Sequence, residues 1–243
     1  MKIGIIGNSH IGSLKSAYVQ QQLSGADVTF WAATGRAFEL LDVVEDRIVS
    51  PLPDYSLAVS EGRCREFDPK TFDAVICYGC AINLPRITGQ LAREIFMQRG
   101  LSSRFRELAL NDSLQNWWSN LAFVRIVGTI TKQAPITLMY TAPMNAVGGK
   151  PYDNADAATN TLHALREFIR IKCEELGIVY RHQPEETLDG LLYTRSQYAV
   201  GSMKPIGSTP YPEDDFVHMN AEYGRFIWND IEHVLGIKAA TAA

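Results

Sequence analysis

Ser9, Asp215 and His218 are the residues of this sequence whose types and placement suit covalent chemistry. Met1 to Gly7 reads MKIGIIG, an apolar run with interleaved glycine, and Asn8, Ser9 and His10 follow at once. Ile3, Ile5 and Ile6 give this run the character of a buried parallel strand. Ser13 to Gln22 has the composition of a helix. Ser9 is therefore expected on a tight turn between a first strand and a first helix. In an open α/β sheet such a turn lies at the carboxyl end of the strands, where ligands bind. It also lies close to backbone N–H groups and the positive end of a helix. A serine hydroxyl becomes a useful nucleophile once a base takes its proton. His218 is a candidate base, and Asp215 precedes it by three residues, so one turn of chain presents both on one side. Asp214, four residues before His218, is the nearest rival of Asp215. The chemistry of such a set is acyl transfer, with the charge on the acyl oxygen met by backbone N–H groups.

Gly7-Asn8-Ser9-His10 resembles the first sequence block of the SGNH (GDSL-like) hydrolase superfamily, usually Gly-Asp-Ser with the serine as nucleophile. Asp215-Phe216-Val217-His218 resembles the block near the other terminus that carries the catalytic acid and base as Asp-x-x-His. The two blocks stand in the family's order and span nearly the whole chain. The resemblance implies a triad of Ser9, His218 and Asp215. It implies an oxyanion hole made of the Ser9 N–H, the N–H of a glycine after the second strand, and an asparagine side chain. Gly35 stands at the glycine position, where a simple turn glycine is the alternative. The family's Gly-x-Asn-Asp block reads Gly79-Cys80-Ala81-Ile82-Asn83 here, so Ala81 holds the asparagine position. Asn83 substitutes only if the loop has a different shape. Loss of one such donor typically costs on the order of 10²–10³-fold in rate. The expected substrate is a small-molecule or carbohydrate ester, and no cofactor or metal is expected.

The elements that must hold these residues follow in order. Val28 to Ala33 reads as a second strand ending near Gly35, and Phe72 to Tyr78 as an interior third strand after the Asp68-Pro69 turn. Phe38 to Arg65 is expected as a small hairpin or an excursion over the sheet edge. Pro85 to Leu110 carries Arg86, Arg93, Arg99, Arg104 and Arg106, a solvated helix face or a contact for an anionic substrate. Asn111-Asp112-Ser113 suggests the cap of a helix from about Leu114 to Thr131, with Trp117 and Trp118 as packing residues. Ile136 to Tyr140 is a fourth strand, and Val147 to Asp156 a Gly/Pro-rich loop. Ala158, Leu162, Leu165, Ile169, Cys173 and Leu176 make one apolar helical stripe closed by Gly177. Ile178 to Tyr180 is a short fifth strand. His163 is placed on a helix surface, and His182 follows the fifth strand without a paired acid. Pro184 to Pro212 reads as a long loop that delivers Asp215 and His218 to the rim, and Asn220 to Leu235 as the last helix, with a frayed tail from Ala239 to Ala243. Strands alternating with helices predict a single α/β domain over residues 1–243, a doubly wound, mainly parallel five-stranded sheet with helices on both faces. The resemblance adds the flavodoxin-like order 2-1-3-4-5, with the switch point between strands 1 and 3.

Composition bounds the rest. With 243 residues, 46% hydrophobic and 21% charged, the chain is ordinary globular material. A net charge of −4 offers no general attraction for nucleic acid or anionic membrane. No apolar run approaches the ~20 residues of a membrane span, and no signal peptide is read at the N-terminus. Cytoplasmic location is the expectation. Cys77 and Cys80 form a C-x-x-C without a second pair, because Cys64 and Cys173 are isolated, so a structural role is expected for them. The rival reading keeps the fold and drops catalysis. Gly7, Gly12 and Lys15 at the start of the first helix would then serve a module recognising a glycan or phosphate-bearing ligand. Gly7 to Gly12 has P-loop spacing, but Leu14 and the displaced Lys15 argue against nucleotide hydrolysis.

Overall fold

The computed structural model describes residues 1–21, 26–80, 82–96, 100–147, 152–207 and 209–237. Ala81, Arg99, the glycine-rich 148–151 segment and the Ala239–Ala243 tail lie outside the described residues.

The first strand, β1 (Lys2–Gly7), leads through the Asn8–His10 turn into α1 (Ile11–Gln21). After it come β2 (Asp27–Ala32) and the short helix α2 (Gly35–Glu39). An antiparallel hairpin follows, β3 (Asp42–Val44) and β4 (Arg47–Val49), then α3 (Pro53–Val59). The hairpin is one of the two forms expected for this stretch, and Glu45 and Asp46 turn it with φ of 47° and 63°. Next stand β5 (Ala74–Gly79), α4 (Leu84–Leu91), a π-helical turn over Ala92–Phe96, α5 (Ser103–Ser119) and α6 (Ala122–Gln133). The chain ends with β6 (Ile136–Thr141), α7 (Ala155–Glu175), β7 (Val179–Arg181), the two-residue ribbon strands β8 (Leu188–Asp189) and β9 (Tyr193–Thr194), and α8 (Ala221–Leu235).

The main sheet has five strands in the order β2-β1-β5-β6-β7, all paired in parallel. This is the expected order 2-1-3-4-5. Strands β1, β2, β5 and β6 are buried on both faces apart from the first residue of β1, β2 and β6, the edge strand β7 is only partly buried, and the side chains divide by the period of two. Ile3, Ile5, Ile76, Tyr78, Leu138 and Tyr140 pack under α1 and α8 with Leu14, Ile227 and Trp228. Ile6, Val75, Cys77 and Met139 face the other way, against Phe123 and Ile126 of α6 and Leu162, Leu165 and Ile169 of α7. Helices therefore cover both faces. No helix among the described residues is long and apolar enough to cross a membrane.

One helix expected from the sequence is two. The stretch read as a single helix from Leu114 to Thr131 breaks between α5 and α6. Ser102, not the Asn111–Ser113 group, caps α5, accepting from Phe105 N–H at 3.2 Å. Asn120 donates its amide to Asn116 O at 2.7 Å, and Leu121 then leaves the helical region with ψ of 133°. A local side-chain bond thus ends the helix where periodicity alone carries on. The other long stripe ends as expected, with Gly177 beyond α7 at φ 71°.

The two helices of one face cross at van der Waals limits. A Cβ on Gly224 of α8 would lie 2.1 Å from Ser13 O of α1, and the Trp228 indole donates to Leu14 O at 2.9 Å. Gly224→Ala should therefore force α1 and α8 apart and cost about 2 kcal/mol or more, as overpacking does. Gly128→Ala is the matched control, because a Cβ there, in α6, meets nothing within 4 Å. It should be stabilising by up to about 1 kcal/mol. Urea denaturation of both variants checks the pair, and equal stabilities would contradict the close crossing.

Candidate active site

Ser9 sits where the sheet needs its backbone to pass most closely. A Cβ on Gly7 would lie 2.0 Å from Tyr78 O, so only glycine ends β1 beside β5. Gly79 ends β5 with φ 75°, and a Cβ there would lie 2.6 Å from Asn8 Oδ1. Asn8 Oδ1 accepts from His10 N–H at 3.1 Å, while Asn8 O and Ser9 O accept the first N–H groups of α1. The turn is thereby closed, and Ser9 remains half-buried at the strands' carboxyl edge.

The histidine and aspartate arrive from the other end of the chain. Asn220 caps α8, accepting from Tyr223 N–H at 3.1 Å. Its amide also donates to Gln197 O and Val200 O, each at 2.9 Å, which pins the residue after Met219 to the long loop. Ala146 N–H donates to Phe216 O at 2.8 Å, tying the same segment to the chain leaving β6. Between these anchors, Asp215 Oδ1 accepts from Val217 N–H and His218 N–H, both at 2.8 Å. Asp215 Oδ2 stands 2.9 Å from His218 Nδ1, and His218 Nε2 stands 2.9 Å from Ser9 Oγ. The structure thus brings Ser9, His218 and Asp215 into one hydrogen-bonded line. Asp214 is exposed and makes no such contact among the described residues.

The charges of the line follow from its surroundings. Burial opposes ionisation of Asp215, but hydrogen bonds from the His218 backbone, the His218 ring and the Val217 backbone outweigh it, and the carboxyl is held below its usual range. An ionised Asp215 fixes the Nδ1–H tautomer of His218, leaving Nε2 to accept from Ser9. His10 is pushed down to about 3, chiefly by burial and further by the neighbouring His218, with Asp215 acting the other way. Its ring lies 5.1 Å from the His218 ring, and its buried Nδ1 has no hydrogen-bond partner among the described residues.

Of the groups expected in an oxyanion hole, Gly35 opens α2 at the end of β2, exposed and with φ 26°. Neither its N–H nor that of Ser9 has an acceptor among the described residues. Asn83 is the N-cap of α4, its Oδ1 accepting from Arg86 N–H at 3.0 Å. The cap fixes the amide plane and leaves Nδ2 without an acceptor among the described residues. Asn83 and Val217 both line an open cleft of about 480 Å³, with Arg86, Gln90, Asn145 and Tyr152 among its other walls. Arg93 also lines it, paired with Asp153 at 3.3 Å. Arg104 is paired with Glu107 at 3.1 Å instead.

Other sequence candidates lie elsewhere. His163 and His182 line a second cavity with Arg166, and among the described residues no member of the Ser9 line borders either this cavity or the cleft beside Val217. Lys15 spends its charge on Val59 O at 2.8 Å and Glu61 at 3.1 Å, tying α1 to the end of α3. Cys77 and Cys80 are buried thiols, and Cys80 Sγ lies 3.5 Å from Ile6 O. Trp118 packs edge-on against Phe123 and Phe168 in the core. Two residues of the site escaped the sequence reading. His10 was visible only as the neighbour of Ser9. Tyr211 was visible only as an aromatic residue between Pro210 and Pro212, yet it stacks on His218.

No family model and no curated protein matches the sequence. Solved structures overlap it over nearly their full length. Phospholipase A1 from Streptomyces albidoflavus overlaps at 12% identity and TM-score 0.49, over 96% of this chain and 98% of that one. The extracellular lipase from Streptomyces rimosus gives 11% and 0.48, over 95% and 99%. A carbohydrate acetylesterase family member from Sinorhizobium meliloti gives 14% and 0.42, over 98% and 100%. The sheet order is the doubly wound order that the SGNH resemblance implies.

The buried His10 generates a pH test of this geometry. Unfolded, it takes up a proton near its ordinary 6.5, whereas folded it refuses one until about pH 3. Its contribution to stability is thus complete above pH 6.5 and is lost as pH falls from there toward 3. The slope is about 1.4 kcal/mol per pH unit within that window. His10→Phe should remove the slope, so wild type should lose about 2 kcal/mol more than the variant between pH 6.5 and 5. Urea unfolding at the two pH values measures it, and parallel losses would count against a neutral buried His10.

Proposed function

We propose that this chain is a serine hydrolase of SGNH type that cleaves carboxylic esters through an acyl-enzyme. The observation that carries the reading is the Ser9 Oγ–His218 Nε2–His218 Nδ1–Asp215 line, each contact 2.9 Å. Ser9 Oγ attacks the acyl carbon while its proton passes to His218 Nε2. Asp215 stabilises the imidazolium so formed without taking the proton itself. Charge on the acyl oxygen meets the N–H groups of Ser9 and Gly35 and the Nδ2 of Asn83. The intermediate collapses as His218 gives its proton to the leaving alcohol, and water repeats the sequence to free the acid. Asn83 takes the part that the resemblance gives to the position of Ala81. The cleft beside Val217, with its amides and Tyr152, suits a polar ester such as an acylated sugar or another small molecule.

Hydrolysis of a short-chain 4-nitrophenyl ester tests the reading. Ser9→Ala should cut turnover by on the order of 10⁴-fold or more, and His218→Ala by nearly as much. Asp215→Ala should lose roughly tenfold to a hundredfold less, since it only orients and stabilises the imidazole. Asn83→Ala should cost on the order of 10²-fold in kcat with little change in KM. Full activity in Ser9→Ala or His218→Ala sinks the proposal. A crippled Asp214→Ala beside a fully active Asp215→Ala would reassign the acid.

A further inference from the structure

The ring of Tyr211 lies flat on the imidazole of His218, with centroids 3.8 Å apart and planes within 3°. This contact is built rather than incidental. Tyr211 ends a closed loop in which Lys204 N–H donates to Thr209 O and Tyr211 N–H donates to Ser202 O, each at 2.9 Å. Met203 and Pro210 bridge across it. The loop is seated on the start of α1, because a Cβ on Gly12 would lie 2.4 Å from Met203 O. The helix that begins just after Ser9 therefore also locates the ring that covers His218. Pro212 O then accepts from Asp215 N–H at 3.0 Å, so only a short, braced segment separates Tyr211 from Asp215.

We infer that Tyr211 is a positioning residue for His218, holding the imidazole in the plane that joins Asp215 to Ser9 and stabilising its cation through the ring face. The inference rests on the serine-hydrolase reading for its catalytic consequence, though the stacking itself does not. An electron-rich ring over a cation contributes most where water is excluded. Tyr211 is itself uncharged at working pH. Burial pushes its phenol up to about 12, Tyr55 and Asp215 act the same way, and the neighbouring Ser9 hydroxyl opposes them. Among the described residues, the groups in contact with the His218 ring are Asp215 on its own loop, Ser9 and His10 from the turn before α1, and Tyr211. The Lys204 ammonium lies 5.9 Å from the Tyr211 ring. Asp215 and Tyr211 thus favour the imidazolium, and neutral His10 supplies no charge against it.

The test compares Tyr211→Phe with Tyr211→Leu, using ester kinetics across pH and the titration of the His218 ring protons by NMR. Tyr211→Phe keeps the face and should stay within about twofold of wild type in kcat. Tyr211→Leu should lose about tenfold or more in kcat with KM within twofold. The acid limb of its kcat/KM profile and the His218 titration midpoint should both move down by about 0.5–1 pH unit, because the cation loses its support. An unmoved midpoint with unchanged kcat in Tyr211→Leu overturns the inference. So does an equal loss in Tyr211→Phe, which would place the effect in the hydroxyl. Tyr211→Met repeats the comparison should the leucine variant melt below the assay temperature. Should wild type cleave no ester, the proposed activity fails, and the NMR midpoints alone decide the role of the ring.

Discussion

The backbone can pass so closely at the carboxyl ends of β1 and β5 only because Gly7 and Gly79 have no side chains. One Cβ would sit 2.0 Å from Tyr78 O and the other 2.6 Å from Asn8 Oδ1. Both glycines lie at the strand pair where the order of the sheet reverses. The constraint puts Ser9 on a turn too tight to move independently of the sheet, with its N–H directed away from any acceptor among the described residues. Every distance in the Ser9 line is referred to that fixed point. A second close approach, Gly224 against Ser13 O, sets α8 on α1 and so sets the residues just ahead of α8, His218 among them, on the same frame.

A hydrogen bond between residues 209 positions apart needs both ends held independently. Freezing a long loop costs conformational entropy that a single hydrogen bond does not offset. The loop that carries Asp215 and His218 is held instead by several bonds along its length, of which those from Asn220 back to Gln197 and Val200 are the clearest. Its last residues then present a carboxylate kept ionised by two backbone N–H groups and a ring kept between two others. The site carries one fixed negative charge, on Asp215, with neutral His10 and Tyr211 beside it. A positive charge that forms on His218 during reaction would meet that carboxylate at Nδ1.

Much of this was legible in the sequence, for reasons that differ by element. Ile3 to Gly7 and Ala74 to Tyr78 are buried on both faces, and unbroken apolar runs betray such strands without knowledge of their neighbours. Ser9 and the Asp215–His218 pair were legible because each is a local pattern next to a strand or turn signal. The break between α5 and α6 was not, since the bond from Asn120 to Asn116 O competes with an apolar period that runs straight through it. Asn83 appeared as an asparagine out of place. Its use as the cap of α4, which orients its Nδ2, depends on a loop shape that residue types do not encode. Tyr211 was illegible for the same reason in stronger form, because its meaning lies in a ring that the fold brings to it.

The activation of Ser9 can be read without knowing the substrate. A fluorophosphonate probe reacts with a serine only when a base withdraws its proton. Intact mass and fragment mapping after exposure should show wild type carrying one probe, on the segment that contains Ser9, while Ser9→Ala and His218→Ala stay unlabelled over the same time. Labelling of Ser9→Ala at the wild-type rate, or a folded wild type that never labels, would contradict an activated serine at this turn.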